Sequence, residues 1–131
     1  MLSVLLVAGG GALGAVARFG TVNVAQLLCG PRFPYGTLLV NCLGAFLIGF
    51  IMSFLIERSG EYAEAWRLFL VVGFLGGYTT FSSYAWESLV LFNAGDRLGG
   101  IFNILANNIG TLLLVLMGLH VSRLLGGMYA G

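Results

Sequence analysis

Charge is what this sequence has least of. Only 8% of its 131 residues are charged, against about 25% in an ordinary soluble domain. Six arginines and five carboxylates, with no lysine at all, cannot solvate the surface of a domain this size, so a water-soluble globule is excluded. Cysteine is scarce as well: Cys29 and Cys42 form no recognised metal or redox spacing and read as free thiols. The single histidine, His120, has no companions for a ligand role and reads as an interfacial residue. With no carboxylate cluster, no His/Cys set and no phosphate-binding loop, hydrolytic and redox catalysis have no visible apparatus, and an enzyme is not expected. The first apolar stretch also lacks a basic flank and a small-residue cleavage site, so a removable signal peptide is not expected.

What fills the chain is apolar. Hydrophobic residues make up 59% of it, and the mean hydropathy is +0.99. A helix that crosses a membrane takes about 20 apolar residues. The uncharged runs 1–17, 19–31, 33–56, 68–86 and 98–122 accommodate four such helices. The sequence therefore predicts an all-α integral membrane protein, a single domain over 1–131, with spans at about 2–28, 35–56, 68–92 and 98–125. The first connection, Cys29-Gly-Pro-Arg-Phe-Pro34, holds both prolines, which cannot continue a helix. The second, 57–67, holds five of the eleven charges, and the third, Asn93-Ala-Gly-Asp-Arg97, is a short polar turn.

Four spans put the N-terminus, the second loop and the C-terminus on one side, with Arg58, Arg67 and Arg123. The other side has Arg32 and Arg97, and Arg18 lies within the first span. Three against two is almost no bias, and the positive-inside rule needs one to fix orientation. On charge alone, insertion both ways and insertion one way by a small margin stay equally open.

Inside the spans stand glycines and uncharged polar groups. Gly10 and Gly14 are four apart, as are Gly73 and Gly77, in the spacing that lets helices approach closely. In the fourth span Asn103, Asn107 and Thr111 fall on one face with Asn108 adjacent; in the second, Thr37 and Asn41 are again four apart. A buried amide without a partner is costly, so these stripes are expected to face each other or water. They serve either as interhelical glue, at about 0.6 kcal/mol per contact, or as an uncharged wetted path. The third span contains Gly73-Phe-Leu-Gly-Gly-Tyr-Thr-Thr-Phe-Ser-Ser-Tyr84, in which Gly76-Gly77 followed by Thr79, Thr80, Ser82 and Ser83 makes a poor continuous helix. A break at membrane depth frees backbone groups, and freed carbonyls are hard oxygen ligands for a cation. Ring edges, hydroxyls and amide N–H groups there could meet an anion without a trapping lysine or arginine.

These residues resemble the Fluc (CrcB-type) fluoride channels. The likeness rests on Gly73-Phe-Leu-Gly-Gly-x-Thr-Thr-Phe-Ser-x-(aromatic)-x-x-Glu87, on Gly36-Thr-Leu-x-Val-Asn41-x-x-Gly44, on Gly10-x-x-x-Gly14-Ala-x-x-Arg18 and on Gly110-Thr111-Leu112. It covers nearly the whole chain in order. The resemblance implies an antiparallel, dual-topology homodimer in the plasma or inner membrane that exports fluoride passively and protects against its toxicity. It implies that Asn41 and Phe81 line the fluoride path, with Tyr84 as a second aromatic edge, Ser82 and Ser83 among the pore hydroxyls, and Asn107 and Thr111 as a polar track. Arg18 and Glu87 match positions near the pore entrances. A structural Na⁺, not transported, is implied at the dimer centre on the backbone carbonyls of Gly76 and Thr79 from both subunits.

Two departures stand out. The family usually has phenylalanine where this chain has Tyr84, and some members carry tyrosine at the position of Asn103. The Tyr84 hydroxyl needs a partner, and Ser82, Ser83 or Asn107 are the candidates. Two rivals remain: a small dual-topology multidrug exporter, which uses an acidic residue in the first span where this chain has only Arg18, and a non-transporting membrane assembly subunit, which has no need of the 76–84 break.

Overall fold

A computed structural model describes residues 1–57, 60 and 62–129. All of their regular secondary structure is helical, and four helical paths are long and apolar enough to cross a membrane. Helix α1 is Leu2–Cys29 and α2 is Tyr35–Glu57. The third path has two parts, α3 over 63–78 and α4 over Phe81–Asn93, and the fourth is a single helix, α5, over 97–129. The third begins five residues earlier than the uncharged run suggests, because Ala63–Trp66 continues the helix outward through an exposed Glu64–Arg67 ion pair at 2.8 Å. Arg58 and Glu61, two of the second-loop charges, lie outside the described residues.

Capping explains where helices restart. Asp96 accepts the Gly99 N–H at 2.8 Å and opens α5, while Gly95, at φ 84°, makes the turn before it. Thr80 opens α4: its side-chain oxygen accepts the Ser83 N–H at 3.3 Å.

Glycines set the spacing between helices. Gly10 and Gly14 of α1 lie against the backbone of α3, where a Cβ would collide with the carbonyls of Phe69 and Phe74. From the other side, a Cβ on Gly73 would come within 2.9 Å of the Val7 carbonyl. The two small-residue pairs thus meet in one seam. A second seam, between Gly49 of α2 and Gly118 of α5, brings those helices together along their length. The third and fourth helical paths each widen to π pitch at one place, over Arg67–Leu75 and over Ala106–Gly110. Such segments are rare and concentrate at functional sites.

Candidate functional site: an uncharged groove at the interrupted third span

The α3 helix ends at Tyr78 because two β-branched residues follow. Thr79 (φ −86°, ψ 158°) and Thr80 (φ −151°, ψ 119°) are both extended, a backbone state that suits them. At membrane depth every backbone group they release needs a partner. Asn41 of α2 supplies two: its Oδ1 accepts the Thr80 N–H at 2.8 Å, and its Nδ2 donates to the Thr80 carbonyl at 3.0 Å. One side-chain amide thus replaces a neighbouring peptide. The Thr80 N–H that would close onto Gly76 in an unbroken helix is committed elsewhere, which releases the Gly76 carbonyl. The Thr79 carbonyl accepts from Arg18 Nη1 at 3.3 Å.

From Asn41 the bonding runs on along α5. Asn41 Nδ2 also donates to Asn107 Oδ1 at 2.8 Å, and Asn107 Nδ2 donates to Asn103 Oδ1 at 3.0 Å. Asn103 Nδ2 donates to Ser88 Oγ at 2.9 Å, and Ser88 Oγ donates to the Tyr84 carbonyl at 2.8 Å. Asn103, Asn107 and Asn41 are 0%, 4% and 8% exposed. A fully bonded polar row this deep has none of the desolvation cost of orphaned amides.

Beside this row lies an open groove of about 350 Å³. Asn41, Phe81, Tyr84, Asn107 and Thr111 line it, and so do Gly76 and Thr79. Among the described residues no charged side chain does. Phe81 and Tyr84 stand edge to face, ring centroids 5.0 Å apart at 77°. Thr111 Oγ1 donates to the Asn107 carbonyl at 2.5 Å.

The remaining candidates lie elsewhere. Ser82 is exposed and does not line the groove, and Ser83 serves the Thr80 cap. Arg18 reaches the groove only through the Thr79 carbonyl. Glu87 lines a separate cavity of about 260 Å³ with Arg32, Trp86 and Thr37, and its Oε1 accepts from Thr37 Oγ1 at 2.7 Å. Its other oxygen, Oε2, is buried without a partner among the described residues. The two polar stripes therefore meet at one point, Asn41 with Asn107, because Thr37 turns to Glu87 instead.

The partner of the Tyr84 hydroxyl is a correction: it is Asn108, whose Nδ2 donates to it at 3.0 Å, and not Ser82, Ser83 or Asn107. The π pitch at Ala106–Gly110 explains this, since it lets the adjacent amides serve different neighbours. Sequence reasoning also missed Ser88, which has no periodic companion, and the Thr21–Tyr78 hydroxyl contact at 3.2 Å that ties α1 to α3.

Comparison with known proteins shows the family. The family model described as CrcB-like protein, Camphor Resistance (CrcB), matches residues 5–119. A protein of Dehalococcoides mccartyi named Fluoride-specific ion channel FluC is 47% identical over 125 residues, 95% of each chain. One of Legionella pneumophila with the same name is 52% identical over 120 residues, 91% of this chain and 88% of its own. Another, from Coxiella burnetii, is 45% identical over 104 residues, 79% and 84%. Matched in this way over nearly its whole length, the chain belongs to the CrcB-like family.

Proposed function

We propose that the chain is a passive fluoride-selective channel in the cell membrane that works as an antiparallel, dual-topology homodimer. The observation that carries this is the uncharged groove, where amides, hydroxyls and two ring edges converge beside the extended Thr79–Thr80 segment; the FluC relatives supply fluoride as the ion. Fluoride holds water strongly, so a pore must replace its hydration shell with fixed donors. Here the amide and threonine donors already have internal acceptors. Asn41 Nδ2 faces Asn107 Oδ1, and Thr111 Oγ1 faces the Asn107 carbonyl. At these two residues a passing anion exchanges one acceptor for another, and neither donor is left bare before or after it. Without a lysine or arginine in the lining, nothing traps it.

The driving force needs no chemistry from the protein. Hydrogen fluoride crosses the bilayer neutral, ionises in the less acidic cytoplasm and accumulates as the anion. A potential negative inside then supplies about 2.3 kcal/mol per 100 mV for its exit. No nucleotide site and no proton-coupling carboxylate are required, in keeping with relatives that are named as ion channels, a non-enzyme class.

The donor set suits a structural Na⁺. The Gly76 carbonyl is released from its helical bond, and the Thr79 carbonyl has a second lone pair beside the one Arg18 uses. Carbonyls of Gly76 and Thr79 from two antiparallel copies would hold the ion, which neutralises clustered oxygen dipoles and links the chains. The dual topology is supported by the near absence of arginine bias; cysteine labelling of either loop in native membranes should find both orientations.

The test is purified protein in liposomes with a fluoride electrode and chloride as control. Fluoride should leave and chloride should not. Exchange of all sodium for a large organic cation should abolish flux slowly. Chloride flux equal to fluoride flux would overturn the selectivity, and full activity after exhaustive sodium removal would overturn the cation site.

A further inference from the structure

The departure at Tyr84 gives the groove a donor that a phenylalanine there lacks. Asn108 Nδ2 makes two contacts, to the Ile104 carbonyl at 2.8 Å and to the Tyr84 hydroxyl oxygen at 3.0 Å. A carbonyl can only accept, so the Ile104 contact fixes that atom as the amide nitrogen and fixes the direction of the second bond. The phenol oxygen is therefore the acceptor, and its own proton is not used in this contact. Among the described residues the hydroxyl has no other hydrogen-bond partner. Tyr84 and Asn108 both line the groove, and the edge-to-face contact with Phe81 holds the phenol ring.

We propose that Tyr84 and Asn108 form a hydroxyl donor site for the permeating anion, with Tyr84 O–H as the donor and Asn108 as the residue that positions it. The inference rests on the groove being the anion path. An accepted hydrogen bond polarises the phenol and strengthens what it donates, so Asn108 acts on the anion only through the hydroxyl. A donor of this kind favours a small, strongly accepting anion such as fluoride over chloride.

The experiment is a double-mutant cycle in liposomes over Tyr84→Phe, Asn108→Leu and the double variant, read as the fluoride concentration that gives half-maximal efflux and as fluoride-over-chloride selectivity. Tyr84→Phe keeps the ring and should still conduct, with half-saturation raised about tenfold, the scale of one lost hydrogen bond to a charged group. Asn108→Leu should shift it in the same direction but less, and the double variant should match Tyr84→Phe alone. Half-saturation and selectivity in Tyr84→Phe within about twofold of the parent would overturn the site, as would additive effects in the double variant. If Tyr84→Phe does not assemble, Asn108→Leu decides: an unchanged half-saturation overturns the proposal and a raised one supports it. A parent protein that moves no fluoride overturns the channel reading itself; a parent that conducts while both variants match it overturns only the donor site.

Discussion

The third span has two sides, and they are held by opposite means. Toward α1 it is dry: glycines let backbone meet backbone, and among the described residues the only side-chain hydrogen bonds across are those of Arg18 with the Thr79 carbonyl and Thr21 with Tyr78. Toward α2 and α5 it is polar: one asparagine completes the backbone of Thr80 and passes the bonding on to Asn107 and Asn103. Lipid offers no hydrophobic drive between helices, so close van der Waals contact and buried hydrogen bonds are what remains to assemble them. The molecule uses the first to place the span and the second to keep an opening in it bonded. The seam should then be intolerant of size and indifferent to polarity, and the groove the reverse.

The largest expected effect is on the dry side. Gly14→Leu sets a side chain against the Phe74 carbonyl, and neither backbone can yield cheaply. We expect a loss above about 3 kcal/mol, at or beyond the upper range for overpacking, seen as no folded protein on size exclusion in detergent. Gly9→Ala is the control, since its new methyl meets nothing nearer than the Phe69 ring at 3.9 Å. A well-assembled Gly14→Leu would break the comparison.

Next comes the groove, where assembly survives and transport does not. Phe81 is 74% exposed within one chain and contacts the ring of Tyr84, so Phe81→Ile should fold. Fluoride efflux should fall by at least about a hundredfold, roughly 2.7 kcal/mol in barrier, because an aliphatic side chain has no electropositive edge. Normal efflux would remove the ring edges from the account.

The spans, their order and the glycine pairs were legible in the sequence because hydropathy and four-residue spacing are local signals. So was the meeting of the Asn41 and Asn107 stripes, since an amide in hydrocarbon demands a partner. The choice of partners was not. Asn108 serves Tyr84, and Thr37 serves Glu87, because of helix register and the π pitch at 106–110, which leave no mark in composition. Arg18 was readable as a charge in a span, but its bond to Thr79 depends on how closely the glycine seam draws α1 against α3.

The smallest effect sharpens the contrast between a network and a lone bond. Thr37→Val removes the one side-chain hydrogen bond that Glu87 makes among the described residues and touches no other member of the polar row. A stability loss of about 1 kcal/mol or less is expected in thermal unfolding, with fluoride efflux within about fivefold of the parent. A loss as large as that of Phe81→Ile would make the 260 Å³ cavity part of the path rather than its neighbour.

Asn41→Asp tests the central claim, that the uncharged row beside the extended segment carries the anion. The change is isosteric and keeps an oxygen to accept the Thr80 N–H, but it gives up the donations to the Thr80 carbonyl and to Asn107 Oδ1, and at high pH it places a negative charge in the groove. A like charge at about 5 Å and an effective dielectric constant of about 20 opposes a passing anion by about 3 kcal/mol, a factor of more than a hundred in rate. Fluoride efflux from liposomes at pH 8 should therefore collapse in protein that still elutes folded on size exclusion. It should recover as pH falls, because protonation removes the charge. Efflux equal to the parent's at pH 8, from folded protein, would contradict the account and move the anion path away from Asn41.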